Sequence, residues 1–344
     1  MEEDYLPPLF SESLPPIVKD NSLLDLDVDE FKKEYANLPD NYKFELSLDY
    51  DSFNPNVQGL SDVFGIKIES RTITKKRAKK VVGISTDLDS SFPVSLGGLR
   101  FFPNVRSISW EDSMVRDLDE IKYLNNIEEI YFELCNLGLE ESTEELNGLA
   151  NMKRINEINI ITCNLKDIEF LSGCQNLTPQ SYIGLENNQI VDITPMSHIR
   201  KLDTIDLTNN QIKDIEPLSG LKSIKELSLF GNPIKDIRPL SSLRQGIKML
   251  WLGRAQIKDI HPLSDLTELT FLNLSDNQIT DLAPLVNLKK LKTLWIDNNK
   301  IQDISILFDL PALEDLNVEG NPIKNSQIRK FKEKAKKEKF SFKY

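Results

Sequence analysis

Cys135, Cys163, Cys174, His198 and His261 are the only cysteines and histidines in this 344-residue chain. They are the side chains best suited to nucleophilic, metal or proton-transfer chemistry. Their spacing supports none of it. A zinc site needs paired cysteines or histidines a few residues apart, and a cysteine nucleophile needs a base held beside it. Neither histidine has a plausible nucleophile or carboxylate held at a fixed geometry on the repeat template. The chain has no phosphate loop, no GxSxG, no HExxH and no CxxC. The odd number of cysteines argues against a disulfide framework. The expectation is a non-enzyme without cofactor or metal, its three thiols reduced and buried.

The chemistry that remains is non-covalent binding. Two groups of residues fall at outward positions of a repeat. Glu129, Glu133, Glu157, Glu186, Asp206 and Glu226 are carboxylates that suit a basic surface. Phe230, Met249, Trp251, Phe271 and Trp295 have the composition of an interface hot spot. These eleven residues are the candidate partner-binding set.

What puts them in register is a 22-residue period through the C-terminal two thirds. In the unit LDTIDLTNNQIKDIEPLSGLKS, starting at Leu202, ten positions recur one unit later. Ile205, Leu207, Asn210 and Ile212 become Leu227, Leu229, Asn232 and Ile234. Units begin at Val105, Ile127, Ile155, Gln180, Leu202, Ile224, Ile247, Leu269, Leu291 and Leu313. VVGIST at 81–86, with Leu96, Leu99 and Phe102, reads as one degenerate unit. Such a period denotes a solenoid, in which each unit buries its apolar face only against its neighbours.

Within a unit, alternation sends Ile205 and Leu207 inward and leaves Thr204, Asp206 and Thr208 outward, which is a strand. Asn210 follows, where the chain turns and backbone groups need partners. Asp-Ile-x-Pro-Leu then predicts a short helical turn on the convex side, with proline in its first turn. Three outward columns follow from this register. The first runs Ser107, Glu129, Glu157, Tyr182, Thr204, Glu226, Met249, Phe271, Thr293, Asp315. The second runs Ser109, Tyr131, Asn159, Gly184, Asp206, Ser228, Trp251, Asn273, Trp295, Asn317. The third runs Glu111, Glu133, Ile161, Glu186, Thr208, Phe230, Gly253, Ser275, Asp297, Glu319. The thirty positions hold ten acids and no lysine or arginine, where the chain's 42 basic residues in 344 would place about four. Such a wall repels phosphates, so nucleic acid is not the expected partner.

The stretch LDLTNNQIKDIEPLSGLKSIKELSLFGNPIKDIRPL resembles leucine-rich repeats of the internalin type, the short bacterial 22-residue class. The resemblance covers roughly residues 80–325. It implies an α/β solenoid: a right-handed leucine-rich-repeat horseshoe with a parallel concave sheet. Members of that class are mostly protein-binding horseshoes, and a related eukaryotic branch regulates protein phosphatases. Cysteine in the asparagine column, as at Cys135 and Cys163, is a substitution the class tolerates. The resemblance implies a scaffold and names no ligand.

Four regions are expected. Residues 1–22 form a flexible acidic segment, and 23–80 an N-terminal α+β cap or small binding module. Residues 81–325 form the repeat domain, and 326–344 a C-terminal capping helix with a basic tail. In the cap, residues 28–37 read as a helix, and Phe44-Leu46-Leu48 and Phe64-Ile66-Ile68 as strands. Ser326 is the expected N-cap of a helix carrying Ile328, Phe331 and Ala335 on its inner side. The lysines of that helix and the run KKRAKK at 75–80 read as solvated charge on a chain of net charge −12. The N-terminus lacks the basic start and apolar core of a secretory signal, and no apolar run has membrane-span length. The expected location is cytoplasmic, and the alternative is secretion by a non-classical route. The expected function is non-catalytic binding of a protein with a basic and apolar surface on the concave face. The alternatives are a regulatory subunit of an enzyme and an exported, host-directed effector.

Overall fold

Alternating apolar residues, repeated at constant spacing, can bury both inward rows only if successive units stack in register. That is the arrangement adopted. The computed structural model describes residues 102–116, 118–137, 144–174 and 176–344, with shorter stretches between residues 33 and 100. Strands β1 (Lys43–Glu45) and β2 (Thr72–Thr74) pair antiparallel. Next come β3 (Gly83–Thr86), β4 (Ser90–Ser95), β5 (Ser107–Glu111) and β6 (Ser113–Arg116). Each later unit supplies one strand: β7 (Glu129–Glu133), β8 (Glu157–Ile161), β9 (Tyr182–Gly184), β10 (Thr204–Asp206) and β11 (Glu226–Ser228). The series continues with β12 (Met249–Trp251), β13 (Phe271–Asn273), β14 (Thr293–Trp295) and β15 (Asp315–Asn317), and β16 (Ser341–Lys343) follows the C-terminal helix. Twelve of these form one sheet, in the order β3, β5, then β7 to β16. Its pairings are parallel, as in a leucine-rich-repeat horseshoe.

The inward rows form one continuous core. Ile205, Leu207, Leu227, Leu229, Leu250 and Leu252 are all at most 1% exposed, each contributing about 1.5–3 kcal/mol of burial. On the convex side the Pro-Leu segments form 3-10 turns, with proline in the first turn at Pro195, Pro217, Pro239, Pro262 and Pro284. The aspartate of each Asp-Ile or Asp-Leu pair starts the turn. Its side chain accepts from the N–H two residues on, as Asp214 does from Glu216 at 2.9 Å and Asp281 from Ala283 at 2.9 Å. This role of the repeated aspartate is an Asx turn.

Between strand and convex turn runs the asparagine ladder. The amide of Asn210 donates to the carbonyls of Leu185 and Leu207, and its oxygen accepts from the N–H of Ile190. Asn188, Asn232, Asn277, Asn299 and Asn321 repeat the pattern. Cys135 and Cys163 keep its donor half, the thiols lying 3.4 Å from the Trp110 carbonyl and 3.5 Å from that of Phe132. All three cysteines are buried thiols. The residue before each ladder position is left-handed: Asn187, Asn209, Gly231, Asp276, Asn298 and Gly320 all have φ between 53° and 73°. Asparagine, aspartate and glycine adopt that conformation most cheaply. Leu134, Thr162 and Arg254 occupy the same column.

Several expectations need correction or completion. Ser326 is not the N-cap: the C-terminal helix runs Asn325–Glu338 with Lys324 at its cap. Its inner face is as expected, with Phe331 and Ala335 buried and Ile328 packed against the core. The edge of β15 is covered by a strand as well as the helix, because β16 returns after the helix and pairs with it. Ser113 follows Asp112, left-handed at φ 46° like the residues before the later ladder positions, and it opens β6, which pairs with β4 in a separate two-stranded sheet. The expected strand at Phe64–Ile68 lies outside the described residues; β1, overlapping the other expected strand, pairs with Thr72–Thr74. Within the expected helix of 28–37, Lys33, Ala36 and Asn37 are helical. The remainder of that region and residues 1–22 lie outside the described residues.

Candidate functional site

The outward columns have the register read from the sequence. Thr204 pairs with Tyr182 and Glu226, Glu226 with Met249, and Met249 with Phe271. Asp206 aligns with Ser228, Ser228 with Trp251, Trp251 with Asn273, and Asn273 with Trp295. Strands about 4.8 Å apart therefore present these side chains as rows across one face.

Three aromatics of the candidate set touch. The rings of Trp251 and Phe271 are 4.7 Å apart and tilted by 37°. Those of Phe271 and Trp295 are 5.2 Å apart at 75°, an edge-to-face contact. Trp295 also donates its indole N–H to Asp315 at 2.9 Å. Met249 lies between Glu226 and Phe271 in the register. Phe230 stands apart from the stacked rings. Gly253 beside it has no side chain, and a Cβ there would lie 2.6 Å from the Phe230 ring. Arg254 lies over the Phe230 ring at 5.4 Å. The sequence leads one to expect exposed aromatics that touch across adjacent strands. The three rings do touch, and all five apolar residues are half-buried, because they lean on one another and on their neighbours.

The acidic residues are more dispersed. Glu129 is exposed, in register between Ser107 and Glu157. Glu157 accepts from the Asn159 amide at 2.9 Å. Glu133 accepts from the Tyr131 hydroxyl, and that bond, with burial and neighbouring acids, pushes the Tyr131 phenol up to about 12. Burial raises Glu186 above the usual carboxylate range, helped by the charges of Asp206 and Glu133. One of its carboxylate oxygens is buried without a hydrogen bond. Tyr182 stands among Glu157, Glu186, Asp206 and Glu226. Burial first, then those charges, drive its phenol up.

Sequence reasoning passed over two residues that shape this face, Tyr182 and Ser228. Together with Asp206, Glu226, Phe230 and Trp251 they line an open pocket of about 400 Å³. The signal was present: a serine between Asp206 and Trp251 in one column must leave a gap. The cysteines and histidines are elsewhere. His198 ends one convex turn and His261 begins another. Burial pushes the Cys174 thiol up to about 12, and Cys163, beside Cys135, is also raised. These are poor conditions for a thiolate nucleophile. Among the described residues no group of acids, histidines and cysteines could hold a metal ion.

The profile for leucine-rich repeats in two copies matches residues 245–287, 267–309 and 289–331. An internalin C2 from Listeria monocytogenes is 36% identical over 54% of this chain and 77% of that one, with a TM-score of 0.48. The chain belongs to the leucine-rich-repeat proteins of the internalin type. The identity and the repeat profile carry that assignment. Another Listeria monocytogenes internalin, inlF, is 23% identical, covering 74% of this chain and 85% of its own, with a TM-score of 0.55. It shares the fold. So does the ectodomain of the Arabidopsis thaliana receptor kinase GASSHO1/SCHENGEN3, solved in complex with CASPARIAN STRIP INTEGRITY FACTOR 2. It is 18% identical, covering 73% of this chain and 31% of its own, with a TM-score of 0.55. No curated protein matches. Leucine-rich-repeat proteins are typically non-enzymatic interaction scaffolds. No helix among the described residues is long and apolar enough to cross a membrane.

Proposed function

We propose that this protein is a non-catalytic scaffold whose concave face binds a partner protein with a basic and apolar surface. One observation carries the reading. The stacked row Trp251–Phe271–Trp295 lies on the same sheet face as the acidic columns, and those columns contain no lysine or arginine. Half-buried tryptophans packed on Phe271 form a preorganised apolar anchor, the kind of residue that dominates interface energetics. The acids around them favour a cationic partner and speed its approach. A relative by fold, the plant receptor ectodomain, was solved in complex with CASPARIAN STRIP INTEGRITY FACTOR 2. Three buried thiols accord with a reducing compartment, and the proposed partner is accordingly a cytoplasmic protein.

The test is capture from the native lysate with the wild type, Trp251→Ala and Trp295→Ala in parallel, followed by affinity measurement on the captured protein. Each variant should lose about 2 kcal/mol or more of binding, roughly thirtyfold. Each should retain the wild-type transition within a few degrees, since neither ring fills the core. A partner held equally well by all three proteins would remove the aromatic row from the interface.

A further inference from the structure

The pocket beside Trp251 is made by a difference in side-chain size. In the second outward column Asp206, Ser228 and Trp251 stand on three successive strands. Asp206 and Trp251 are therefore about 10 Å apart at the backbone, with only a serine between them. Ser228 is 8% exposed and forms the floor, its hydroxyl 2.5 Å from that of Thr208. The first column adds Glu226 at one end of the gap, and the third adds Phe230 at the other. Tyr182 closes the far side. The result is an open slot of about 400 Å³ with aromatic and carboxylate walls and no lysine or arginine in its lining.

Each wall selects for the same guest. An indole face attracts a cation through its ring quadrupole. Two carboxylates on adjacent strands offer acceptors to a forked donor. Asp206 already accepts the Thr208 N–H through one oxygen at 2.8 Å, so its carboxylate is held in place. Tyr182 has its phenol raised first by burial and then by the charges of Glu186, Asp206, Glu157 and Glu226 around it. A guanidinium is planar, weakly hydrated and stacks on aromatic rings, whereas an ammonium is compact and strongly hydrated. Arg254 at the rim already places its guanidinium over Phe230 while lying 3.7 Å from Asp276, outside the slot. Building on the proposed concave-face function, we infer that this slot receives an arginine side chain of the partner, stacked on Trp251 and bonded to Asp206 and Glu226.

The three tryptophans, Trp110, Trp251 and Trp295, make a direct test possible. The full chain carrying 5-fluorotryptophan is titrated with N-acetyl-arginine methylamide at low salt and observed by fluorine NMR. Trp251→Phe identifies the Trp251 signal. That signal should shift and saturate, with half-saturation on the order of a few millimolar, while buried Trp110 stays still. The uncharged citrulline analogue should leave the Trp251 signal in place, and the lysine analogue should bind several-fold more weakly. Ser228→Leu, which fills the slot, and the isosteric pair Asp206→Asn with Glu226→Gln should each abolish saturation. Equal shifts from citrulline, or saturation that survives either variant, would overturn the slot. Lysine or tetramethylammonium binding as tightly as arginine would overturn the choice of arginine. The underlying reading fails separately. An inert slot with Trp295→Ala still weakening partner capture removes only the slot. A saturable slot with capture unaffected by Trp251→Ala and Trp295→Ala removes only the concave-face function.

Discussion

Asn210 and Ile190 are twenty residues apart in the chain and joined by one 3.0 Å hydrogen bond, from the Ile190 N–H to the Asn210 side-chain oxygen. That bond, copied from unit to unit, ties each turn to the one before it. Where Ala255 replaces asparagine the bond is missing, and the Ile234 N–H turns to the carbonyl of Asn232, two residues before it, at 2.8 Å.

The ladder therefore has a measurable worth in both directions. Asn210→Leu removes the partner of buried backbone groups and should cost about 1–3 kcal/mol in denaturant unfolding. Ala255→Asn restores a partner and should gain about 0.5–1.5 kcal/mol, with slower hydrogen exchange at Ile234. An Ala255→Asn protein with unchanged exchange at Ile234 would show that the ladder is already saturated there.

The acidic wall bears on association rate more than on the final contacts. Reversing Glu129, Glu133 and Glu157 to lysine takes the formal charge from −12 to −6. Binding of a cationic partner should slow by about tenfold at low ionic strength, and its salt dependence should flatten. Stopped-flow association across a salt series reads both. An unchanged rate would leave the wall with a solubility role alone.

Glu186 gives the face a pH signature. Its folded-state affinity for a proton is raised, chiefly by burial. The folded state therefore binds a proton more tightly than the unfolded chain, and stability falls as pH rises from the ordinary glutamate range through the raised value. Glu186→Gln should melt higher than the wild type at pH 7. The gap should close as pH falls below about 4, where the unfolded-state carboxyl is protonated too. A gap constant from pH 3 to 7 would mean that charge is not the cause.

The last strand should act separately from the last helix. The Val318 N–H donates to Lys343 at 2.9 Å, and the ring of Phe342 lies 5.5 Å from that of Phe331. A chain ending at Lys339 keeps the helix and loses β16. Exchange at Val318 should accelerate by an order of magnitude or more in that chain, while Leu294 stays protected. A chain ending at Lys324 should also lose protection at Leu316. Equal protection at Val318 in the full-length chain and the chain ending at Lys339 would return the edge-covering role to the helix alone.

The repeat made most of this fold legible in advance. A period of two within each strand assigns Ile205 inward and Asp206 outward, and the 22-residue period aligns the same offsets across units. The rows Thr204–Glu226–Met249 and Asp206–Ser228–Trp251 followed directly, as did the ladder and the inner face of the C-terminal helix. Any single unit predicts its neighbour's backbone, because both bury the same apolar pattern against each other. Where no neighbouring unit exists, that inference has nothing to copy. The second strand of the edge, β16, has no repeat signature, and neither has the buried pair of Arg100 and Glu120, whose Nε–Oε2 contact is 2.8 Å. Alignment of the columns also leaves open how far each side chain leans. The register places Phe271 between Trp251 and Trp295, within reach of both, but that Tyr182 closes a slot and that one oxygen of Glu186 is buried are contacts it does not give. They depend on side-chain volumes meeting across the sheet, a quantity that only the folded chain determines.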